Sequence, residues 1–268
     1  RSVMTDNGAL YTTLPIADGV VLPGTVQEVF ESGNYNHVPI IIGSNWDEQR
    51  VFVPSYLATV PTSSGHTWYN AFNVLGFYSP SLTIDEFMPP DGPDRELYDT
   101  VGRYSSLYWK AGAVDSIARI LKKQQKEVYC YNLKWGGKGS GPSPYDFLIG
   151  SGHTTDLSFF FGWDYDCFGN AALTKDNEKG RKALQKDIMS YTASFASSGN
   201  PNKAGSGLPV WKAWSNNAGE PKSIVFDADY EHAKICMMNE EYTKEDVLNQ
   251  INALPSNVRD MIKVFLWV

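Results

Sequence analysis

The chain is predicted to take an α/β fold, a mostly parallel central sheet flanked by helices. Two observations predict it. Short apolar runs at 38–42 and 128–133 alternate with stretches of helical periodicity. The first run, Val38-Pro-Ile-Ile-Ile42, is almost continuously apolar, as a parallel strand covered on both faces requires.

Each element has a local cause. Thr25-Val-Gln-Glu28 has the spacing of a capping box and Gly33 that of a helix stop, so a short helix is expected over 26–32. The buried strand at 38–42 follows. Residues 54–93 carry many Pro, Gly, Ser and aromatic residues, including His66, Trp68, Tyr69, Phe72, Phe77 and Tyr78. Such a long excursion is expected to form a lid or pocket wall. Val114, Ile117, Ala118 and Leu121 share one helical face, and Val128-Tyr-Cys-Tyr-Asn-Leu133 reads as a strand. A turn-rich loop spans 136–143. Leu184, Ile188, Tyr191, Thr192 and Phe195 mark an amphipathic helix ended by Gly199-Asn-Pro201. Ile224-Val-Phe226 is a late strand. Val247 and Ile251, then Val258, Ile262 and Phe265, predict two short helices broken near Pro255. Only two or three strands are visible, so the sheet is expected to need further neighbours.

Composition removes several function classes. Of 268 residues, 42 % are hydrophobic and 20 % charged, ordinary for a globular protein. The net charge of −7 leaves no basic stripe for nucleic acid or an anionic membrane. The densest basic run, Lys122-Lys123-Gln-Gln-Lys126, suits a helix C-terminus in solvent. Cys130, Cys167 and Cys236 form no C-x-x-C pair, and no metal site or cofactor is expected. No apolar stretch is long enough to span a bilayer, and no Asn-x-Ser/Thr acceptor occurs. The aromatic share of 13 % suits either a bulky core or an aromatic-lined pocket, with the core favoured. Gly136-Gly-Lys-Gly-Ser-Gly141 lacks the Gly-Lys-Ser/Thr ending of a phosphate loop.

Two segments carry the chemistry. Gly43-Ser-Asn-Trp-Asp-Glu48 puts a carboxylate just past a predicted strand end, where ligand chemistry gathers in open α/β sheets. Gly152-His153-Thr-Thr-Asp156 puts a histidine in a small-residue loop ahead of an aromatic run. His37, His66 and His232 sit in surface-like contexts. A carboxylate followed by a downstream histidine is the acid-then-base order of a hydrolase triad, with Glu48 orienting His153. The bland alternatives are a solvated loop acid beside Asp47 and a loop histidine bonded to backbone. The nucleophile is expected upstream of both, and the chain contains no Gly-x-Ser-x-Gly.

Read together, five ordered pieces resemble the type-B carboxylesterase/lipase family, the cholinesterase-like branch of the α/β-hydrolases. They are the stretch 14–23, the acid motif 33–48, the strand at 128–131, the histidine motif 152–162, and the pair Phe195-Ala-Ser-Ser-Gly199-Asn-Pro201 with Leu208-Pro209-Val-Trp211. The resemblance implies the C-terminal part of one α/β-hydrolase catalytic domain over 1–268. It implies a serine carboxylic-ester hydrolase with Glu48 as triad acid and His153 as base, and Asp156 as a hydrogen-bonding position. It also implies a partner, the N-terminal half with the serine and oxyanion hole, an ester substrate with an apolar acyl or alcohol group, and an extracellular location. Lipase, sterol esterase and small-ester esterase remain open, and a non-catalytic adhesion or binding relative is the alternative. Gln49 and Thr154 stand where the family usually has glycine, so altered loop geometry is expected there.

Overall fold

The computed structural model describes residues 17–77, 82–166, 168 and 170–266. The first residues of the 14–23 stretch, Tyr78 and Cys167 lie outside the described residues. The chain forms two compact units, 1–37 and 38–268.

The first unit holds helix α1 (Val26–Ser32). It begins as its capping box dictates: Thr25 Oγ1 accepts from the Glu28 N–H at 3.3 Å, and Glu28 Oε2 accepts from the Thr25 N–H at 2.8 Å. Gly33 ends it at φ 73°, a left-handed turn that costs glycine little.

The second unit is built on a four-stranded sheet in the order β1 (Ile40–Asn45), β2 (Val128–Leu133), β3 (Ser223–Ala228), β4 (Ala233–Met238). The first two pairings are parallel and the last antiparallel. Among the described residues, β1 has a strand on one side only. The apolar run at 38–42 therefore starts two residues early and stops three short, because Gly43, Ser44 and Asn45 continue the ladder. β4 was illegible in the sequence, its side chains alternating between intermediate and exposed along a lysine-bearing edge.

Between β1 and β2 come short helices α2 (Val53–Tyr56), α3 (Asn70–Val74) and α4 (Ile84–Phe87), then the long α5 (Pro93–Lys110). Pro93 opens α5, where a missing N–H costs nothing. A π-helical stretch, Ala111–Asp115, joins α5 to α6 (Ser116–Leu121). Its wider turn brings residues five apart onto one face, so Lys110 Nζ reaches both oxygens of buried Asp115 at 2.6 and 2.7 Å. After β2 come α7 (Tyr145–Leu148), α8 (Thr155–Phe161) and α9 (Glu178–Ser198), and the tail forms α10 (Lys244–Asn252) and α11 (Ser256–Leu266) on either side of Pro255.

Strand alternation distributes β2 between two layers. Tyr129 meets Phe195 of α9 at 6.1 Å between ring centroids, and Tyr131 meets Phe160 of α8 at 4.8 Å. Cys130 points to the other side, toward Asp115 and Lys110. Both faces are therefore covered, which is why β2 is almost wholly buried. The aromatic residues serve mainly the core: Trp68, Trp135, Trp211 and Trp214 are fully buried, and Trp211 donates to the Cys130 carbonyl at 3.0 Å. Cys130 and Cys236 are both free thiols. No helix of the described residues is long and apolar enough to cross a membrane, and the described residues hold no metal-binding cluster of His, Cys, Asp or Glu.

Candidate active site

β1 ends at Asn45, and the chain turns through Trp46 and Asp47 into a 3-10 turn at Arg50–Phe52. This turn folds Glu48 back over the strand end. Its Oε2 accepts from the Asn45 N–H at 2.7 Å, and only 6 % of the residue is exposed. Glu48 is thus no solvated loop acid. Its Oε1 is directly hydrogen-bonded to His153 Nδ1, across 105 positions of sequence.

Asp47 performs a different task. Its N–H donates to the Ser151 carbonyl at 3.0 Å, and Oδ2 accepts from the Ser151 N–H at 3.2 Å. The acid loop is thereby tied to the histidine loop by a reciprocal pair. Gly150 makes this approach feasible: at φ +60° a Cβ would lie 2.3 Å from Asp47 Oδ2. Burial pushes the Asp47 carboxyl up, partly offset by Arg50, whose Nη1 lies 3.6 Å away.

His153 occupies the turn before α8. The Glu48 hydrogen bond holds its imidazole above the ordinary 6.5, against a downward pull from partial burial, and Asp156 adds to the rise. With the Nδ1 proton given to Glu48, Nε2 is the free acceptor. The side chain is 46 % exposed. The Phe52 ring lies 5.6 Å from the imidazole and closes one flank.

Thr154 takes φ 74° and ψ −4°. This left-handed conformation favours glycine, so Thr154 carries backbone strain there. Gln49 sits at φ −95°, open to any residue, and its N–H donates to Ser106 Oγ at 3.0 Å. Thr154→Gly relieves strain of about 1–2 kcal/mol, offset by about 0.4–1 kcal/mol of chain entropy. We expect a net gain between zero and about 1.6 kcal/mol in urea unfolding. A loss of stability would show that the Thr154 hydroxyl, bonded to the His153 carbonyl, outweighs the strain.

Asp156 lies one residue into α8. It accepts from Tyr131 Oη at 2.7 Å and from Asn45 Nδ2 at 3.3 Å, linking the histidine helix to both parallel strands. Tyr131 can lie across β1 because its neighbour there is Gly43, where any Cβ would come within 2.3 Å of the ring. Burial and the Asp156 carboxylate push the Tyr131 hydroxyl well up, so it stays a donor. Sequence reasoning assigned no role to Asn45, Tyr131, Gly150 or Ser151. The available signal was a polar residue ending an apolar strand at Asn45, and a glycine facing a tyrosine at 43 and 131. Of the other histidines, the side chain of His232 is 76 % exposed, and His37 bonds the Gly33 carbonyl within the first unit at 3.1 Å.

The arrangement is a half-exposed histidine whose tautomer is fixed by a carboxylate, leaving the second nitrogen as acceptor. Such a pair takes a proton from an incoming nucleophile and returns it to a leaving group.

Comparison with known proteins gives the family and the fold. A family model described as Carboxylesterase family matches residues 2–246. Carboxylesterase 1C of Rattus norvegicus is 25 % identical over 228 residues, covering 81 % of this chain and 39 % of the relative. The liver carboxylesterase of Sus scrofa is 27 % identical over 214 residues, covering 76 % of this chain and 36 % of the relative. The chain thus spans well under half the length of either. The crystal structure of the carboxylesterase EST55 of Geobacillus stearothermophilus superposes with a TM-score of 0.55 at 22 % identity, over 88 % of this chain and 46 % of that one, and so shares its fold.

Proposed function

Since the chain belongs to the carboxylesterase family, we propose that it supplies the acid and base of a serine carboxylic-ester hydrolase. Glu48 orients His153 and stabilises the imidazolium. His153 Nε2 takes the proton of a serine hydroxyl as that oxygen attacks the ester carbonyl. The tetrahedral intermediate collapses, the same nitrogen protonates the departing alkoxide, and an acyl-serine remains. Water, deprotonated by His153, then releases the acid. The observation that carries this reading is the direct Glu48–His153 bond on a half-exposed imidazole.

The serine and the oxyanion donors come from outside this sequence, which contains no Gly-x-Ser-x-Gly. Their source is the N-terminal part of the same enzyme. An ester with an apolar acyl or alcohol group suits the surroundings. Phe52 flanks the imidazole, and a cavity of about 290 Å³ next to the acid loop is lined by Gln49, Tyr56, Tyr108, Trp109 and Phe265. Tyr56 belongs to the 54–93 excursion, which supports a pocket-wall role for its start.

The test is covalent labelling of the intact protein with a fluorophosphonate, followed by peptide mapping. A single labelled serine in a Gly-x-Ser-x-Gly context is expected, with labelling lost in His153→Ala. No labelled serine in an otherwise folded protein would overturn the hydrolase reading and favour a binding role.

A further inference from the structure

We infer that Asn45 is a positioning residue that sets the Glu48–His153 geometry from the end of β1; this rests on the proposed roles of those two residues. Its backbone N–H holds Glu48 Oε2 at 2.7 Å. Its side-chain Nδ2 donates to the Gly152 carbonyl, the peptide joined to His153, at 2.8 Å and to Asp156 at 3.3 Å. One residue therefore grips the acid and the loop of the base at once. The loops it joins are more than a hundred positions apart in sequence, so local backbone preference cannot set their spacing.

Burial makes this grip stiff. Asn45 is 2 % exposed and sits at the last paired position of a parallel strand, opposite Leu133. Strand pairing fixes its Cα, and an amide of that length reaches Gly152 without freedom to swing. Its Oδ1 is buried with no partner among the described residues, so its grip runs through Nδ2 and the backbone N–H alone.

The neighbouring strand holds a matched control. Asn132 on β2 is 1 % exposed, has the same unpartnered Oδ1, and also ties β1 to β2, through Nδ2 to the Ser44 carbonyl at 3.2 Å and Ser44 Oγ at 3.3 Å. None of these bonds goes to the acid or histidine loop. The charged groups acting on His153 are Glu48 and Asp156, and Phe52 supplies the facing ring. Replacing Asn132 leaves all three in place.

The experiment follows the His153 ring by NMR through a pH titration of wild type, Asn45→Ala, Asn45→Ser and Asn132→Ala. Serine keeps a polar group but is too short to reach Gly152, so it stands in if the alanine variant does not fold. We expect both Asn45 variants to move the His153 midpoint down toward 6.5 and to weaken the downfield Nδ1–H resonance. Asn132→Ala is expected to lower stability but leave midpoint and resonance unchanged. Unchanged titration in the Asn45 variants, or an equal shift in Asn132→Ala, overturns the inference. In the labelled protein, Asn45→Ala is expected to slow labelling by about 10- to 100-fold. Titration needs no turnover, so the two readings fail separately. Shifted titration without any labelled serine rejects the hydrolase and keeps the positioning role; labelling with unshifted titration does the reverse.

Discussion

If the proposed function holds, His153→Ala is expected to lower kcat of the complete protein toward esters by about 10⁴- to 10⁶-fold, with folding nearly intact. The imidazole is 46 % exposed and its one strong bond is to Glu48, so its removal opens little of the core. Chemistry loses far more on the proposed mechanism, because the imidazole is the group that takes and returns the proton. Glu48→Gln is expected to cost about 10⁴-fold, since an amide facing Nδ1 no longer fixes the working tautomer. The wild-type pH profile follows from the same bond. The base works as neutral imidazole, and Glu48 holds its folded pKa above 6.5, so activity rises with pH through a midpoint above that value. Stability runs the other way. The raised pKa contributes stability that is fully present below 6.5 and is lost as pH rises through the folded value. Steady-state kinetics across pH checks both variants; full esterase activity in His153→Ala would remove the histidine from the mechanism.

Asp115→Ala is expected to destabilise the fold by about 3–5 kcal/mol, the largest loss we anticipate from a residue outside the candidate site. Asp115 is 0 % exposed and binds Lys110 Nζ through both oxygens, while Oδ2 also accepts from the Tyr242 N–H at 2.8 Å. Its loss strands an ammonium that is itself 4 % exposed and leaves a backbone donor unmet. The cost therefore comes from the orphaned partners. Replacing both charges, as Lys110→Met with Asp115→Leu, is expected to recover most of the loss. Equilibrium urea unfolding of the two single variants and the double variant measures this. A single-variant loss below about 1 kcal/mol would show that the π-helical stretch admits water to Lys110.

Much of the secondary structure was legible because its causes are local. The Thr25–Glu28 box and Gly33 bound α1 as their spacing requires, and Gly199 stops α9 at φ 73°. The run at 128–133 matches β2 residue for residue. Elements whose stability is conferred by neighbours were harder to read. β4 has no apolar run of its own and exists because β3 offers an edge. The π-helical stretch carries no motif, and its register is held by a buried ion pair that only folding assembles.

By itself the sequence determined the family, the α/β alternation and two candidate residues, Glu48 and His153, each recognised inside a short ordered motif. Tertiary structure alone decided that they touch. It also decided that Thr154 takes a left-handed turn, that Asp47 locks two loops together, and that Asn45 and Tyr131 brace the histidine loop from parallel strands. The physical reason is range. Caps, turns and periodicity act within a few residues, whereas a hydrogen bond spanning 105 positions forms only after strand pairing has aligned β1 with β2.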